Sequence, residues 1–144
     1  MQRNTYRIFL DTSVIIAAYG SKKGASGTII KNSGNKYICI ISEDILYEFF
    51  SKAKKLSTSI LNIENWVKEK NIYVVKSPKE KYKESYKFVV GDAKDKHVLA
   101  SAHNIRAHIL LSLDKKHILT EQVKKALYPT LVLTPKEFLT KKPL

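Results

Sequence analysis

Apolar residues recur along the chain in short uninterrupted runs, and the stretches between them mix apolar and polar positions with helical spacing. The runs lie at residues 6–11, 37–41, 72–75, 108–113 and 130–133, and runs of this length are typical of buried strands. Helical spacing occupies residues 24–32, 43–55, 58–70, 78–90, 92–104 and 120–127. Because strands that alternate with helices form parallel sheets covered on both faces, the pattern predicts a three-layer α/β/α fold with a mostly parallel central sheet of about five strands.

Local signals predict where several helices begin. Ser42 is a suitable N-cap for the helix after the second strand, because its hydroxyl can accept a bond from a free backbone N–H. Pro78 predicts the start of the helix at 78–90, since proline fits the first helical position. Gly91 is expected to break that helix, and Asp92 is expected to cap the following one.

The length of the chain predicts a single domain over residues 1–144. A domain of this size buries roughly 70% of the surface that its unfolded chain exposes. No repeat, low-complexity block or long linker divides it, and residues 141–144 are expected to form a basic tail.

The composition predicts a packed protein of a reducing compartment. Hydrophobic residues make up 44% of the chain, which favours a core over disorder. No apolar run reaches the roughly 20 residues that span a bilayer, and the N-terminus lacks the pattern of a signal peptide. Cys39 is the only cysteine and lies in an apolar run, so we expect a buried, inert thiol and a cytoplasmic protein.

The net charge of +13 predicts a polyanionic partner. Nucleic acid is the commonest polyanion in a cell, although an anionic membrane surface, an acidic protein or a merely lysine-rich surface would also account for the charge. Lys79, Lys83 and Lys87 share one face of the predicted helix at 78–90. We expect these lysines, together with Lys115, to contact phosphates.

Four acidic residues fall at the boundaries of the predicted elements: Asp11, Glu48, Asp95 and Asp114. Asp11 ends the first apolar run and Asp114 ends the fourth, so two neighbouring parallel strands would bring both aspartates to one edge of the sheet. Glu48 lies at the margin of the apolar stripe of its helix, and Asp95 lies in the first turn after Asp92. For each acid alone, a structural role such as helix capping is about as good an interpretation.

Taken together, the four acids predict a divalent cation, because clustered carboxylates repel one another unless a cation neutralises them. Oxygen ligands suit Mg²⁺ or Mn²⁺. The histidines are too scattered along the sequence to predict a zinc site, and the chain has no glycine-rich phosphate loop. They lie at His97, His103, His108 and His117. We expect His97 and His103 to be surface or helix-packing residues.

Four segments in this order resemble the PIN-domain nucleases, most closely the VapC-like toxin ribonucleases of toxin–antitoxin modules. The segments are FLDTSVIIAAYG, ISEDILYEFFSKAKK, GDAKDKHVLASA and LLSLDKKHIL. The resemblance extends from Asp11 to Asp114 and on to the last strand, and it implies a PIN-like fold. The chain departs from the family at Leu113, where a small residue or glycine is usual.

The resemblance implies a role for each matching position. Asp11, Glu48, Asp95 and Asp114 match the acidic residues that bind Mg²⁺ or Mn²⁺ and carry catalysis. Thr12, Ser13, Asp92 and Ser112 match residues that support these ligands. The expected partners are RNA, whose backbone the lysines would hold, an antitoxin protein and a second copy of the chain, with no membrane.

The function implied is a metal-dependent endoribonuclease that hydrolyses RNA phosphodiester bonds as the toxin of a toxin–antitoxin pair. An RNA-processing PIN nuclease outside such a module, and a PIN-like domain that binds nucleic acid without catalysis, are the alternatives. A receiver-type phosphoacceptor would want paired acids after its first strand, and an aspartyl phosphatase would want a second aspartate two positions after Asp11. Thr12 and Ser13 occupy those positions instead.

Overall fold

A single five-stranded sheet, with every strand parallel to its neighbours, forms the centre of the computed structural model, which describes residues 5–144. The strands are β1 (Tyr6–Leu10), β2 (Tyr37–Ser42), β3 (Tyr73–Val75), β4 (Ile109–Leu111) and β5 (Leu131–Leu133), in the spatial order β3-β2-β1-β4-β5. Helices flank the sheet, which confirms the predicted three-layer α/β/α fold.

Eight α-helices connect and cover the strands in the described part of the chain. They are α1 (Thr12–Gly20), α2 (Ala25–Lys31), α3 (Glu43–Ser51), α4 (Ile60–Glu69), α5 (Glu80–Glu84), α6 (Lys96–Asn104), α7 (Glu121–Leu127) and α8 (Pro135–Lys141), and a 3-10 turn at Ala93–Asp95 leads into α6. The main helix contacts fall into two sets: α1 contacts α2 and α3, α2 contacts α8, and α3 contacts α4, whereas α6 contacts α5 and α7.

The strand order reverses direction between β1 and β4. From β1 the chain moves outward through β2 to β3, and it then returns to the other side of β1 to lay down β4 and β5. The connections on the two sides of this point diverge, which leaves a crevice at the carboxyl ends of β1 and β4. Asp11 directly follows β1, and Asp114 lies three residues after β4, so both acids are placed at this crevice.

The core is built from the central strands and the helix faces that cover them. In β1 the side chains of Ile8, Phe9 and Leu10 are fully buried, as expected of a strand with parallel neighbours on both sides. Burying each such side chain contributes roughly 1.5–3 kcal/mol. The expectation for Cys39 is also met. The residue is fully buried, and burial raises the pKa of its thiol to about 12.

Several predicted boundaries were wrong, and two helices were missed. The helix α1 was not predicted because its apolar residues do not alternate with polar ones, and it follows β1 after a single residue. The helix α8 was not predicted, although Thr134 and Glu137 form a capping box around Pro135. The helix expected to start at Pro78 and to run over 78–90 is only α5, which begins at Glu80 after Lys79 as its N-cap.

Two helix starts agree with the sequence. Ser42 caps α3 by accepting a hydrogen bond from the N–H of Ile45, and Asp92 caps the 3-10 turn by accepting one from the N–H of Lys94. Among residues 5–144, no helix has the length and apolar character needed to cross a membrane.

Candidate metal centre

Asp11 occupies the N-cap position of α1, but its carboxylate does not cap the helix. Oδ2 instead accepts hydrogen bonds from Ser112 Oγ at 2.7 Å and from Ser13 Oγ at 3.0 Å. The residue is only 7% exposed, and burial raises the pKa of the carboxyl although the two serines act against this. The sequence had left a capping role open for Asp11, and the structure favours a role in the crevice.

The same two serines hold the loop that carries Asp114. Ser112 Oγ accepts a hydrogen bond from the N–H of Asp114 at 3.0 Å, and Ser13 Oγ accepts one from the N–H of Leu113 at 3.1 Å. The side chain of Leu113 is 44% exposed, so it turns toward solvent rather than into the crevice. The departure at Leu113 therefore leaves Asp114 tied to Asp11 through Ser112.

Glu48 reaches the crevice from α3 and is held between two donors. Thr12 Oγ1 donates to Glu48 Oε2 at 2.7 Å, and His97 Nε2 lies 2.6 Å from Glu48 Oε1. Burial alone would raise the pKa of this carboxyl, but the bonds from His97 and Thr12 outweigh it, so the pKa lies below its ordinary value. Glu48 is thus an oriented carboxylate whose side chain still keeps 44% of its surface exposed to solvent.

Asp95 ends the 3-10 turn at the start of α6, where no capping bond from its side chain is formed. Burial, with the negative charges of Asp11, Asp92 and Asp114 adding to it, raises the pKa of Asp95 to about 6. The carboxylates of Asp11, Asp92 and Asp114 therefore lie near enough to disfavour ionisation of Asp95. Among the described residues, the group whose ligand atoms lie within 4.8 Å of one another contains Asp92 and Asp95 with His117, but not Asp11, Glu48 or Asp114.

Asp114 combines a structural role with a place in the cluster. Its Oδ1 accepts hydrogen bonds from the N–H groups of Lys116 and His117, at 3.1 and 2.9 Å. Its Oδ2 lies 3.2 Å from Nδ1 of His117. One carboxylate oxygen thus caps a turn at 115–118 rather than a helix, and the other lies beside His117.

The donor set suits a hard divalent ion. The side chains that converge are carboxylates, and Asp92 and Asp95 also lie with His117 in a group whose ligand atoms are within 4.8 Å of one another. Carboxylate oxygens are the usual ligands of Mg²⁺ and Mn²⁺. A bound cation would favour the ionised form of Asp95, whose pKa is raised by burial and by the neighbouring carboxylates. The residues present therefore fit such an ion.

Residues 7–116 match the family model described as PIN domain. The chain belongs to the PIN domain family. A comparison with curated protein sequences finds no match for this PIN domain.

Solved structures with the same fold include proteins of toxin–antitoxin systems. A toxin–antitoxin complex from Klebsiella pneumoniae aligns with a TM-score of 0.66 at 14% identity, over 89% of this chain and 97% of that one. VapBC2 from Rickettsia felis, bound to a promoter DNA fragment, aligns with a TM-score of 0.61 at 13% identity, over 88% and 96%. VapC20 of Mycobacterium tuberculosis, a toxin that cleaves the sarcin–ricin loop, gives 0.55 at 13% identity, over 74% and 89%.

The predicted phosphate-binding lysines of the PIN domain do not share one environment. Lys83 is largely buried and forms an ion pair with Asp44 at 2.7 Å, whereas Lys87 pairs with Glu84 at 3.4 Å. Lys79 and Lys115 are exposed. Lys83 also lines an open cleft of about 480 Å³ beside Glu48 and His97, so its charge is partly neutralised but adjoins the acidic cluster.

Two histidines at the cluster were missed by the sequence analysis. His97 was expected at the surface or in helix packing, but it is only 8% exposed and its ring is bonded to Glu48. His117 was considered only as part of a scattered set. Their spacing held a usable signal, because His97 follows Asp95 by two residues and His117 follows Asp114 by three, which places each within one turn of an acid.

Proposed function

We propose that this PIN domain is a divalent-metal-dependent endoribonuclease and the toxin of a toxin–antitoxin pair. The observation that carries the proposal is the convergence of Asp11, Glu48, Asp95 and Asp114 at the point where the strand order reverses. A domain that only bound RNA would gain nothing from concentrated negative charge where the phosphates lie, whereas a metal-dependent hydrolase requires it.

Asp11, Asp95, Asp114 and Glu48 would hold Mg²⁺ or Mn²⁺, with Asp92 supporting them. The ion would supply Lewis acidity, lowering the pKa of a water molecule and stabilising charge on the phosphate oxygens. Ser112 and Ser13 orient Asp11, and Thr12 orients Glu48. These donors keep the carboxylate oxygens in place before substrate arrives, so no reorganisation is required at the moment of reaction.

The proposed substrate is RNA. The charge of +13 favours a phosphate backbone, and the exposed Lys79, Lys87 and Lys115 are proposed to contact it outside the acidic cluster. The cleft beside Glu48 and His97 offers room for the chain that flanks the scissile phosphate. Because backbone contacts carry little sequence information, selectivity would rest on the shape of the RNA.

The toxin assignment is supported by the fold shared with toxin–antitoxin proteins. We propose an antitoxin as the protein partner, a homodimer as the assembly and the cytoplasm as the location. We also propose that residues 1–144 form one catalytic domain. RNA processing outside a toxin module is the alternative within the same chemistry.

The catalytic part of the proposal is tested by incubating the purified protein with RNA and Mn²⁺ or Mg²⁺, with and without EDTA. We expect cleavage that EDTA abolishes and that Asp11→Asn reduces at least about a hundredfold, since catalytic groups contribute on this scale. Glu64→Gln, which removes an exposed acid of α4, is the matched control. Cleavage in EDTA, or full activity of Asp11→Asn, would contradict the proposal.

The toxin part is tested separately in cells. Induced expression of the wild-type chain is expected to stop growth, whereas Asp11→Asn is expected to be tolerated. If a small acidic protein is encoded next to this chain, its co-expression is expected to restore growth. If an active nuclease has no such neighbour and does not affect growth, RNA processing becomes the better assignment.

A further inference from the structure

His117 lies among the acids of the proposed metal site in a position to act as a ligand. Its Nδ1 is 3.2 Å from Asp114 Oδ2 and 4.0 Å from Asp95 Oδ2. One ligand atom each from Asp92, Asp95 and His117 lie within 4.8 Å of one another. Two atoms on opposite sides of an ion with bonds of about 2.1 Å are roughly 4.2 Å apart, so only a small movement would bring these three onto one ion.

Gly91 makes room for the imidazole in this position. A Cβ at residue 91 would lie 2.7 Å from Cδ2 of His117 and 3.4 Å from its Cα. Because real Cβ atoms do not approach ring carbons so closely, any other residue would displace the ring from the acids. Gly91 thus gives His117 its place beside Asp92 and Asp95.

The other histidine of the site is arranged differently. His97 Nε2 is held by Glu48 at 2.6 Å, and His97 Nδ1 is buried without a hydrogen-bond partner among the described residues. The ring of His97 therefore orients Glu48, whereas the Nδ1 of His117 lies toward two carboxylates that a cation would share.

We propose that His117 supplies a nitrogen ligand to the ion and that this ligand makes the site favour first-row transition-metal ions, Mn²⁺ among them, over Mg²⁺. An imidazole nitrogen binds transition-metal ions better than it binds Mg²⁺, which prefers oxygen ligands and retained water. The inference rests on the proposed function only in placing a divalent ion at the acids. When Nδ1 carries no proton, it coordinates the ion instead of bonding Asp114.

Pulsed electron paramagnetic resonance of Mn²⁺ bound to the full chain, without RNA, tests the ligand directly. The wild type is expected to show the hyperfine coupling of a directly bound ¹⁴N nucleus. His117→Gln keeps a hydrogen-bond donor for Asp114 but is expected to lose this coupling. His103→Gln, at the far end of α6, is expected to keep it. A wild-type complex without ¹⁴N coupling, or coupling that persists in His117→Gln, overturns the inference.

Calorimetric titration with Mn²⁺ and with Mg²⁺ gives a second measurement. The ratio of the two affinities is expected to fall about tenfold in His117→Gln, the scale of losing one contact around a bound metal. Gly91→Ala should also lower this ratio, because it displaces the ring of His117. This variant takes the place of His117→Gln in the test if His117→Gln does not fold. Gly20→Ala, where nothing lies within 4 Å of the added carbon, should leave the ratio unchanged. An unchanged ratio in both site variants contradicts the proposal.

The two proposals fail in distinguishable ways. A protein that binds Mn²⁺ through nitrogen but cleaves no RNA refutes the endoribonuclease and supports the role of His117. A metal-dependent nuclease whose Mn²⁺ has only oxygen ligands refutes the role of His117 alone. Absence of Mn²⁺ binding in a protein that binds Mg²⁺ refutes the role of His117 alone, and absence of binding of both ions refutes both.

Discussion

Ser112 joins the two strand-end aspartates, although it carries no charge itself. Its hydroxyl donates to Asp11 Oδ2 and accepts from the N–H of Asp114, and the residue is fully buried. One hydroxyl thereby sets the separation of two carboxylates that come from different strands. The buried hydroxyl of Ser112 stabilises the fold because both of its hydrogen bonds are made. Its removal would leave both Asp11 and the N–H of Asp114 without this partner.

Ser112→Ala is expected to lower the free energy of unfolding by about 1–3 kcal/mol, because it leaves a buried N–H and a buried carboxylate short of a partner. The metal affinity should fall with it, since Asp11 loses one of its two orienting hydroxyls. Urea denaturation and calorimetry measure the two effects. Ser85→Ala, whose hydroxyl bonds a carbonyl of α5 at the surface, should change neither, and a similar loss there would contradict the explanation.

Asp95→Asn is expected to stabilise the metal-free protein at neutral pH. The pKa of Asp95 is about 6 in the folded protein against its ordinary 3.8, so the folded state binds more protons than the unfolded state between these values. Stability therefore falls as the pH rises from about 4 to about 6, and the penalty persists above that range. The Asp95→Asn substitution removes this penalty. The free energy of unfolding should therefore rise by an amount on the order of 1 kcal/mol, once screening by solvent is allowed for.

The measurement is the melting temperature as a function of pH in EDTA, followed by addition of Mn²⁺. Asp95→Asn should melt higher than the wild type at pH 7 without metal and equally at pH 4. It should gain less on addition of Mn²⁺, because an amide is a weaker ligand. A lower melting temperature in EDTA at pH 7 would show that the acids do not repel one another in the folded state.

At the scale of the elements, the site is separated from the last helix of the chain. The helix α8 packs against α2 and β5, and Phe138 stacks edge-on against Tyr37. Its start is held by a capping box in which Thr134 Oγ1 accepts from the N–H of Glu137 and Glu137 Oε1 accepts from the N–H of Thr134, both at 3.0 Å. This helix contributes to stability without contacting the acids.

Thr134→Ala is expected to reduce the free energy of unfolding by about 1 kcal/mol, the usual cost of losing an N-cap. Thr134→Ser should retain most of the wild-type stability, because the serine hydroxyl can accept the same hydrogen bond. Chemical denaturation measures the stability, and RNA cleavage measured well below the unfolding midpoint should be unchanged. Loss of cleavage without loss of stability would mean that α8 takes part in the site.

Across the whole molecule, a net charge of +13 accompanies a crevice lined by acids. Lys83 and Lys96 on either side of the cleft are engaged with carboxylates of α3 and α5: Lys83 with Asp44 and Lys96 with Glu80 and Glu84. Lys79 and Lys115 remain exposed, as does Lys87 although it pairs with Glu84, and these three are the candidates for phosphate contacts. Such contacts release counterions, which makes binding depend strongly on salt.

Reversing Lys79, Lys87 and Lys115 to glutamate is expected to weaken RNA binding and to flatten its dependence on salt. Each lost phosphate contact should reduce the slope of log K against log salt by roughly 0.7 for single-stranded RNA. Reversing Lys36, Lys68 and Lys70, which precede β2 and β3 at the opposite edge of the sheet, changes the net charge equally. Fluorescence anisotropy in EDTA measures both, and equal losses would indicate a purely long-range effect of charge.

The strands and the order of the acids could be predicted because the information is local. All five strands were found to within a few residues because each contains a continuous apolar run. The expectation that every run is buried was wrong for the edge strand β3, in which Tyr73 and Val74 are exposed. The short helix α5 was overpredicted, since its apolar positions continue to Val90 while the backbone after Glu84 forms turns. In the opposite sense, α1 was missed because a buried helix lacks the alternation of polar and apolar positions that marks an exposed one.

By itself, the sequence determined the alternation of strands and helices, the acids at the element boundaries and a charge suited to a polyanion, since each is a property of composition or local spacing. Only the tertiary structure decided which groups meet. The reversal of strand order beside β1 brings Asp11 and Asp114 to one hydroxyl, α6 brings His97 to Glu48, and Gly91 admits His117 to the acids. These contacts join residues that are far apart in the chain, or they depend on the space left by a missing side chain. The spacing of apolar residues along the sequence carries no information about either.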